Sequence, residues 1–401
     1  MMGAKSDGGL PEDARRIPLL LASRRAPDAP GGLAGYERGL AAEFEKRTGT
    51  KPALCALTGK AAASGTVLLD AMVREPRRIW MRLASRPFFH RLLEFSIRLA
   101  YRQAVDSLLS RRPRTVHFIG TGWDFIGFAL ADFAKRNRAR FTIWPAVHPG
   151  QWGDDRMDLR LYQMADTVFC QSRHEQDHLA ALGLDRAKMS ICGLPPMCLP
   201  DGDGSRLRGR LGIGTRPVVL FLGLRSSGKG YPELLQAWRL VCAACPEAVL
   251  LVAGPDPWGK FPLPEEESIR DLGVPDEATK ADALAGCDVL ALPSSHEAFG
   301  IVYVEAWSYG KPVLCGPAPA SRELVRDGVT GLWVEQTPES IADGIIRLLH
   351  DRDLRHTLGE AGRRLQLERF TWDATLATHQ MAWKGTGQQA EGLTRFRSSP
   401  R

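Results

Sequence analysis

A glycine-rich turn that carries two cationic side chains follows one of the short apolar runs of this chain. The run Val218–Leu222 leads directly into Gly223, and Arg225 and Lys229 follow within the next seven residues. Flexible backbone beside an arginine and a lysine, at the end of a strand, suits a polyphosphate ligand. A strand-to-helix turn with solvated cations is the alternative interpretation of this motif alone.

Two glutamates stand eight residues apart near the start of a predicted helix. Glu297 lies in the loop after the apolar run Val289–Leu292, and Glu305 lies in the first turns of the helix that follows. Unpaired backbone N–H groups at a helix start form an anion site. Carboxylates on both sides of that anion can accept hydroxyl hydrogen bonds, as a sugar and a ribose require. The N–H groups in question are those around Gly300, Ile301 and Val302, and Phe299, directly before them, is a further candidate binding residue.

The elements that must position these residues are predicted from hydrophobic patterning. Short runs of consecutive apolar residues alternate with helical patterns, which is typical of parallel sheets covered by helices. A hinge-like composition at 193–215 divides them into two series, so we expect an α/β protein with two Rossmann-like domains that face each other across a cleft. The predicted strands are 17–22, 53–57, 115–119, 141–147, 167–170 and 189–192, then 217–222, 248–253, 289–292, 312–315 and 332–334. The predicted units are a flexible tail at 1–16, an N-terminal domain at 17–200, a C-terminal domain at 216–370, a helix at 371–385 and a flexible tail at 386–401.

The C-terminal half resembles a known family in these motifs and their order. Residues 217–380 are similar to the donor-binding half of a family 4 glycosyltransferase (glycosyl transferases group 1), which has the GT-B fold. The matching motifs are Gly223…Lys229-Gly230, Pro293-Ser294…Glu297-Ala298-Phe299-Gly300…Glu305-Ala306, Gly310-Lys311-Pro312-Val313 and Asp327-Gly328-x-x-Gly331-Leu332.

The resemblance implies that 17–200 is the acceptor domain, that 216–370 is the nucleotide-sugar donor domain, and that the helix at 371–385 crosses back to the first domain. It also implies a role for each of these site residues. Lys229 and a nearby arginine hold the donor diphosphate, Glu297 contacts the donor sugar, and Glu305 contacts the ribose. The family has arginine directly after the glycine, where this chain has Leu224 and carries Arg225 one residue later.

The N-terminal half resembles the same family in two places. Gly32, in Pro30-Gly31-Gly32, matches a glycine loop that lets the backbone approach the transferred group. His148, at the end of a predicted strand, matches a cleft histidine that touches the sugar. For both positions a structural role is an equally good interpretation.

The composition limits the possible classes of protein. The 401 residues are 44% hydrophobic and 25% charged, and they contain no apolar run of membrane-spanning length and no secretory signal. Eight scattered cysteines do not form a disulfide framework, so a reducing, cytoplasmic location is expected. No cluster with metal-ligand spacing occurs, so no metal and no other cofactor is expected.

The net charge of +7 is concentrated in one segment. Residues 74–114 contain eleven arginines against three acidic residues, and the apolar positions Phe88, Leu92, Phe95 and Leu99 follow helical spacing. Such concentration argues against a nucleic-acid groove. It predicts either a peripheral contact with an anionic membrane such as the inner face of the plasma membrane, or a helix whose apolar side chains are core and whose arginines are solvated.

The sequence therefore predicts a retaining, metal-independent glycosyltransferase. It would move a sugar from a nucleotide-diphosphate sugar to a glycan, a lipid-linked acceptor or a small molecule. A P-loop NTPase is one alternative, because Gly223-x4-Gly228-Lys229 almost spells the phosphate loop, although Gly230 stands where that loop has a hydroxyl. A GT-B protein that binds without catalysis is another.

Overall fold

A computed structural model of the chain describes residues 18–25, 32–58, 67–68, 86–106 and 112–384. The two predicted tails, at 1–16 and 386–401, lie outside the described residues, as do residues 74–85 and 107–111 of the basic segment.

The first half of the chain forms a parallel sheet of seven strands with helices between them. The strand order is β3-β2-β1-β4-β5-β6-β7, and every neighbouring pair is parallel. The strands are β1 (Leu19–Arg25), β2 (Ala53–Thr58), β3 (Val67–Leu68), β4 (Thr115–Ile119), β5 (Arg140–Trp144), β6 (Thr167–Cys170) and β7 (Met189–Ile191). The helices are α1 (Gly32–Thr48), α2 (His90–Asp106), α3 (Ile126–Arg136), α4 (Arg156–Met164) and α5 (Arg173–Ala181).

The second half repeats this architecture with six parallel strands. Their order is β10-β9-β8-β11-β12-β13. The strands are β8 (Val218–Leu222), β9 (Val249–Ala253), β10 (Ile269–Gly273), β11 (Val289–Leu292), β12 (Val313–Cys315) and β13 (Gly331–Trp333). The helices are α6 (Gly204–Leu211), α7 (Tyr231–Ala244), α8 (Glu277–Gly286), α9 (Ile301–Ser308), α10 (Pro319–Leu324), α11 (Pro338–His350), α12 (Arg352–Arg369) and α13 (Trp372–Lys384).

Both sheets have the strand order of a Rossmann fold, so the expectation of two Rossmann-like units with parallel sheets is confirmed. The central strands are buried along their whole length, as β8 and β9 show, because helices cover both faces. The reversal of strand order falls between β1 and β4 in the first sheet and between β8 and β11 in the second. Ligands of such sheets bind beyond the carboxyl ends of the strands at this reversal.

The structure differs from the predicted elements at three strands. β3 and β10 were not predicted, since β3 has two residues and β10 reads Ile-Arg-Asp-Leu-Gly at the sheet edge, without an apolar run. The strand predicted at 141–147 ends at Trp144, because Ala146 has a positive φ of 53° and turns the chain away.

Helix α2 divides its apolar residues between two faces. Leu93, Ile97 and Tyr101 are buried. The four residues expected to form one apolar face are instead largely exposed: Phe88 (95%), Leu92 (55%), Phe95 (65%) and Leu99 (61%). Arg98 pairs with Glu94 and Asp132 at 3.8 and 3.4 Å. The interpretation of these phenylalanines and leucines as core is therefore wrong.

Helix α13 returns from the second half and packs on α1 of the first. The Tyr36 hydroxyl lies 2.8 Å from Nε2 of His379, and the two residues are fully buried. All eight cysteines are free thiols. Among the described residues no helix has both the length and the apolar composition needed to span a bilayer.

Candidate functional site

The loop after β8 is held against the neighbouring strand ends by its backbone. The Gly223 N–H donates to the Ala253 carbonyl at 2.9 Å, and the Arg225 N–H donates to the Pro255 carbonyl at 3.0 Å. A short 3₁₀ turn at Ser227–Lys229 then leads into α7. Lys229 is thereby placed at the strand-order reversal of the second sheet.

Gly230 brings this loop against the loop after β11. Its φ of 68° is left-handed, and a Cβ at this position would overlap the Pro293 carbonyl oxygen. The Gly228 carbonyl in turn accepts hydrogen bonds from the Ser294 hydroxyl at 2.9 Å and the Ser295 N–H at 3.0 Å. A serine or threonine does not fit at residue 230, so the loop cannot provide the hydroxyl that the P-loop alternative requires.

Lys229 and Glu297 meet where these two loops touch. The Lys229 Nζ donates to the Glu297 Oε1 at 2.6 Å, and it lies 3.4 Å from the His296 carbonyl oxygen. The Glu297 side chain is only 7% exposed, against 20% for Lys229. The structure thus brings together the lysine and the first glutamate that the spacing suggested.

His148 approaches the same pair from the other half of the molecule. Burial lowers the pKa of its imidazole, the Lys229 ammonium lowers it further, and the Glu297 carboxylate opposes this. The ring is therefore neutral at pH 7 and can exchange hydrogen bonds with an uncharged hydroxyl. It stacks on Trp152, with ring centroids 5.3 Å apart.

Glu175 supports the loop that carries His148. Its carboxylate accepts the Val147 N–H at 3.0 Å and the Gln171 N–H at 2.6 Å, and burial raises its pKa to about 8. Sequence reasoning missed this residue, because it lies in α5, 27 residues beyond the histidine, with no local signal.

The start of α9 forms the third side of the site. Gly300 has a φ of 86°, and a Cβ there would lie 2.6 Å from the Tyr303 ring, whose hydroxyl donates to the Leu292 carbonyl at 2.7 Å. Ile301 and Val302 are the first residues of the helix, so their N–H groups have no partner within it.

Phe299 lies just before this helix, but its side chain points elsewhere. The ring packs edge-on against Phe370, with centroids 5.7 Å apart. The side chain of Phe299 thus packs within the second half, against the end of α12.

Glu305 is paired with a lysine that sequence reasoning missed. The Lys280 Nζ donates to its Oε1 at 2.9 Å, and Glu305 is 2% exposed. Burial raises the pKa of Glu305, and the Lys280 ammonium opposes this rise. A buried carboxylate requires a nearby cation, and this requirement is the only signal that could have indicated a partner for Glu305.

Arg225 forms a third ion pair, with Asp271 of β10. Arg225 is 7% exposed, and its guanidinium carbon lies 6.0 Å from the centroid of the Tyr231 ring. Asp271 was missed because its strand was not predicted. In this structure the Arg225 guanidinium pairs with Asp271 rather than with Glu297.

Gly32 is the first residue of α1, whereas Pro30 and Gly31 lie outside the described residues. Within the part of the chain that the structure describes, no three His, Cys, Asp or Glu side chains are grouped so that they could hold a metal ion.

Comparison with known proteins extends this description. The family model for glycosyl transferases group 1 matches residues 205–365. The GDP-mannose-dependent alpha-(1-6)-phosphatidylinositol monomannoside mannosyltransferase of Mycolicibacterium smegmatis is 30% identical over 300 residues, which cover 66% of this chain and 77% of the relative. The D-inositol 3-phosphate glycosyltransferase of Kribbella flavida is 28% identical over 246 residues, 56% of this chain and 58% of the relative.

Solved structures show the same fold. Sucrose-phosphate synthase from Thermosynechococcus elongatus superposes with a TM-score of 0.71 at 19% identity, over 92% of this chain and 98% of that one. HepE of Anabaena, solved with UDP and glucose, gives a TM-score of 0.69 at 17% identity, over 91% and 98% of the two chains.

The two sheets and the paired loops at the strand-order reversal are thus those of the GT-B fold. The sequence similarity covers about three quarters of a mannosyltransferase, and it establishes the family of this chain. The chain belongs to the glycosyl transferases group 1 family, family 4, and is a glycosyltransferase that uses a nucleotide-sugar donor.

Proposed function

We propose that this glycosyltransferase transfers its sugar with retention of anomeric configuration and without a metal ion. The observation that carries the metal-independent part is the Lys229–Glu297 contact of 2.6 Å beside the start of α9, with His148 facing the pair from the other half. Retention is what membership of the family implies. The donor diphosphate would lie between Lys229 and the N–H groups of residues 300–302.

The charge that develops on the diphosphate explains why these groups would be catalytic. When the bond between the sugar and the diphosphate breaks, negative charge grows on the leaving oxygen. A preorganised ammonium and a helix start stabilise that charge more than they stabilise the bound donor. Such cations do what a divalent metal ion does in other transferases, which supports the metal-independent reaction.

The remaining residues would hold the two ends of the donor. We assign Glu297 to the sugar hydroxyls, Glu305 to the ribose hydroxyls, and His148 to the sugar from the acceptor side. Arg225 would exchange its bond to Asp271, which is 42% exposed, for one to the diphosphate. Gly223 and Gly32 would let the backbone approach the diphosphate and the transferred group.

For the acceptor we propose an inositol-containing lipid or inositol phosphate, used at an anionic membrane surface. The support comes from the relatives, whose names specify a phosphatidylinositol mannoside and D-inositol 3-phosphate. For the donor we propose a GDP-sugar or a UDP-sugar. The mannosyltransferase is GDP-mannose-dependent, and HepE was solved with UDP.

The first experiment measures thermal stabilisation by GDP, UDP and their sugars, followed by transfer to phosphatidylinositol and to inositol phosphate. One donor at a hundred times its Kd should stabilise the protein by about 2.7 kcal/mol. Proton NMR of the product reports whether the anomer is retained, and transfer in excess EDTA reports metal dependence. Inversion, or loss of activity in EDTA that Mg²⁺ restores, would contradict the proposal.

The second experiment replaces Lys229 by methionine, which keeps the length of the side chain. The kcat should fall about 10²- to 10³-fold, the range for loss of one group that stabilises transition-state charge. Lys135→Met, at an exposed position on α3, is the matched control. Transfer by Lys229→Met at the rate of this control would refute the role of Lys229.

A further inference from the structure

Helix α2 and the 3₁₀ turn Pro87–Phe89 that leads into it carry large apolar side chains in water. Phe88, Leu92, Phe95 and Leu99, here called the α2 stripe, are 95%, 55%, 65% and 61% exposed. Leu92, Phe95 and Leu99 recur at helical spacing, so they lie along one side of α2, and Phe88 lies in the turn directly before the helix. A separate set of side chains holds the helix to α3 and the sheet, namely Leu93, Ile97, Tyr101, Ala104 and Val105. Contiguous exposed apolar surface of this kind marks an interaction site.

The charges around the α2 stripe indicate the chemistry of its partner. Arg86, just before the helix, and Arg91, between Phe88 and Leu92, are exposed, and no described carboxylate pairs with them. Glu94 is turned inward, where it pairs with Arg98 and Arg160. The border of the stripe near its start is therefore cationic, and an anionic partner complements it.

The position of α2 places the start of the stripe at the cleft. Glu94 pairs with Arg160, and the Arg98 guanidinium lies 3.4 Å from the Met164 sulfur, so α2 and α4 run side by side in the same direction. Helix α4 begins at Arg156, directly after the loop that carries His148. The N-terminal end of α2, with Phe88 just before it, therefore lies at the edge of the sheet that faces the cleft, on the acceptor side.

We propose that the α2 stripe inserts into the headgroup region of an anionic lipid bilayer, with Arg86 and Arg91 at the lipid phosphates. An interfacial helix binds by burial of its apolar side and by attraction of its cations to anionic lipid. This seating turns the acceptor side of the cleft toward the membrane, and this last point alone rests on the lipid acceptor proposed above. A second copy of the chain is a poorer occupant, because it would bring like-charged arginines together across the contact.

The test is sedimentation with vesicles of phosphatidylcholine alone and with vesicles that also contain phosphatidylglycerol. The full chain should sediment with the second kind at low salt and be released at high salt. Leu92→Gln, Phe95→Gln and Leu99→Gln should each lower the partition coefficient about tenfold. Leu367→Gln on α12, where the leucine is also 61% exposed, should leave it unchanged.

Several outcomes would overturn the inference. Failure to sediment with anionic vesicles at low salt does so, and so does equal binding of the stripe variants and the Leu367→Gln control. Sedimentation velocity gives another check, because a dimer that the stripe substitutions dissociate would assign the stripe to a second copy. Donor-dependent thermal stabilisation, measured on the same variants without vesicles, should stay at the wild-type level. Vesicle binding without transfer to any lipid supports the surface and refutes only the proposed acceptor.

Discussion

At the scale of single residues, the donor half is organised around buried charges that are paired without a ligand. Glu297, Glu305 and Arg225 are each almost fully buried, and each contacts a charged partner that is more exposed than itself. Such a pair keeps a buried group ionised, whereas removal of one partner leaves an uncompensated charge. The pairs therefore give each buried group that we assign to the donor a counter-charge before the donor arrives.

Lys280→Met tests this interpretation at the second glutamate. The substitution leaves Glu305 buried without its cation, so we expect a loss of about 3–5 kcal/mol of stability and a raised KM for the donor. Thermal unfolding and donor titration measure the two effects. The double variant Lys280→Met/Glu305→Gln should regain much of the stability and still bind the donor poorly. If Lys280→Met unfolds at the wild-type temperature, the pair has no part in holding Glu305.

Glu37 on α1 predicts a pH dependence of stability. The side chain is buried, the Ser23 hydroxyl donates to its Oε2 at 2.7 Å, and burial raises its pKa to about 7. Because the pKa is higher in the folded than in the unfolded chain, the contribution of Glu37 is fully present below about pH 4.5 and is lost as the pH rises through 7.

The test compares the wild type with Glu37→Gln, which keeps an acceptor for Ser23. Between pH 5 and pH 8 the wild type should lose on the order of 3 kcal/mol relative to the variant. Thermal unfolding of both proteins across this range measures the difference. Curves that stay parallel would show that the folded and unfolded pKa values of Glu37 are equal.

At the scale of elements, the close approach of the loops after β8 and β11 depends on a single glycine. Gly230→Ala adds a Cβ that overlaps the Pro293 carbonyl and strains a left-handed backbone. We expect loss of stability of several kcal/mol and loss of donor binding, because Lys229 moves away from Glu297. Gly228→Ala is the control, since its Cβ meets nothing closer than 3.7 Å. Equal unfolding temperatures of the two variants would contradict this account.

Strand positions and local motifs could be predicted from the sequence, but long-range partners could not. Consecutive apolar residues mark buried parallel strands, so β8, β9 and β11 could be recognised. The loop after β8, which carries Lys229, and the loop after β11, which carries Glu297, could be located in the same way. The edge strand β10 has polar residues where one face meets solvent, and no apolar run marks it. Its Asp271, the partner of Arg225, was missed with it.

Periodicity also could not show which apolar side of a helix is buried. Helix α2 has apolar residues around more than half of its circumference, and packing against α3 selects Leu93, Ile97 and Tyr101 for the core. That choice depends on the shape of the neighbouring surface, which becomes visible only in the folded chain. The exposed α2 stripe is what this selection leaves in solvent.

At the scale of the whole molecule, the two halves touch on both sides of the hinge. Near the site, the Glu323 carboxylate of α10 accepts the N–H groups of Arg173 and His174 at 2.8 and 2.9 Å, which holds the start of α5. On the far side, α13 packs on α1. If the halves move relative to each other, the contact of Glu323 with α5 must change. The contact of α13 with α1 keeps α13 attached to the N-terminal half.

The attachment of α13 depends on the small size of Gly39 in α1. A Cβ at this position would overlap the ring of Trp372, the first residue of α13. Deeper in the same contact, the His379 Nδ1–H donates to the Thr375 carbonyl at 2.8 Å, so Nε2 is free to accept the Tyr36 hydroxyl hydrogen bond. Burial lowers the pKa of His379 to about 4, which keeps it in this neutral form at pH 7.

Gly39→Ala should therefore detach Trp372 and loosen the two halves without touching the donor site. We expect a lower unfolding temperature and, in small-angle scattering, a larger radius of gyration. When the nucleotide is added, the radius of gyration of the variant should decrease less than that of the wild type. Gly35→Ala, one turn earlier, meets only ordinary contacts at 3.6 and 3.7 Å, and it should be neutral or stabilising by up to about 1 kcal/mol. Because both variants gain the same helix propensity, any difference between them reports the contact with α13. Identical scattering from the two variants would mean that α13 does not couple the halves.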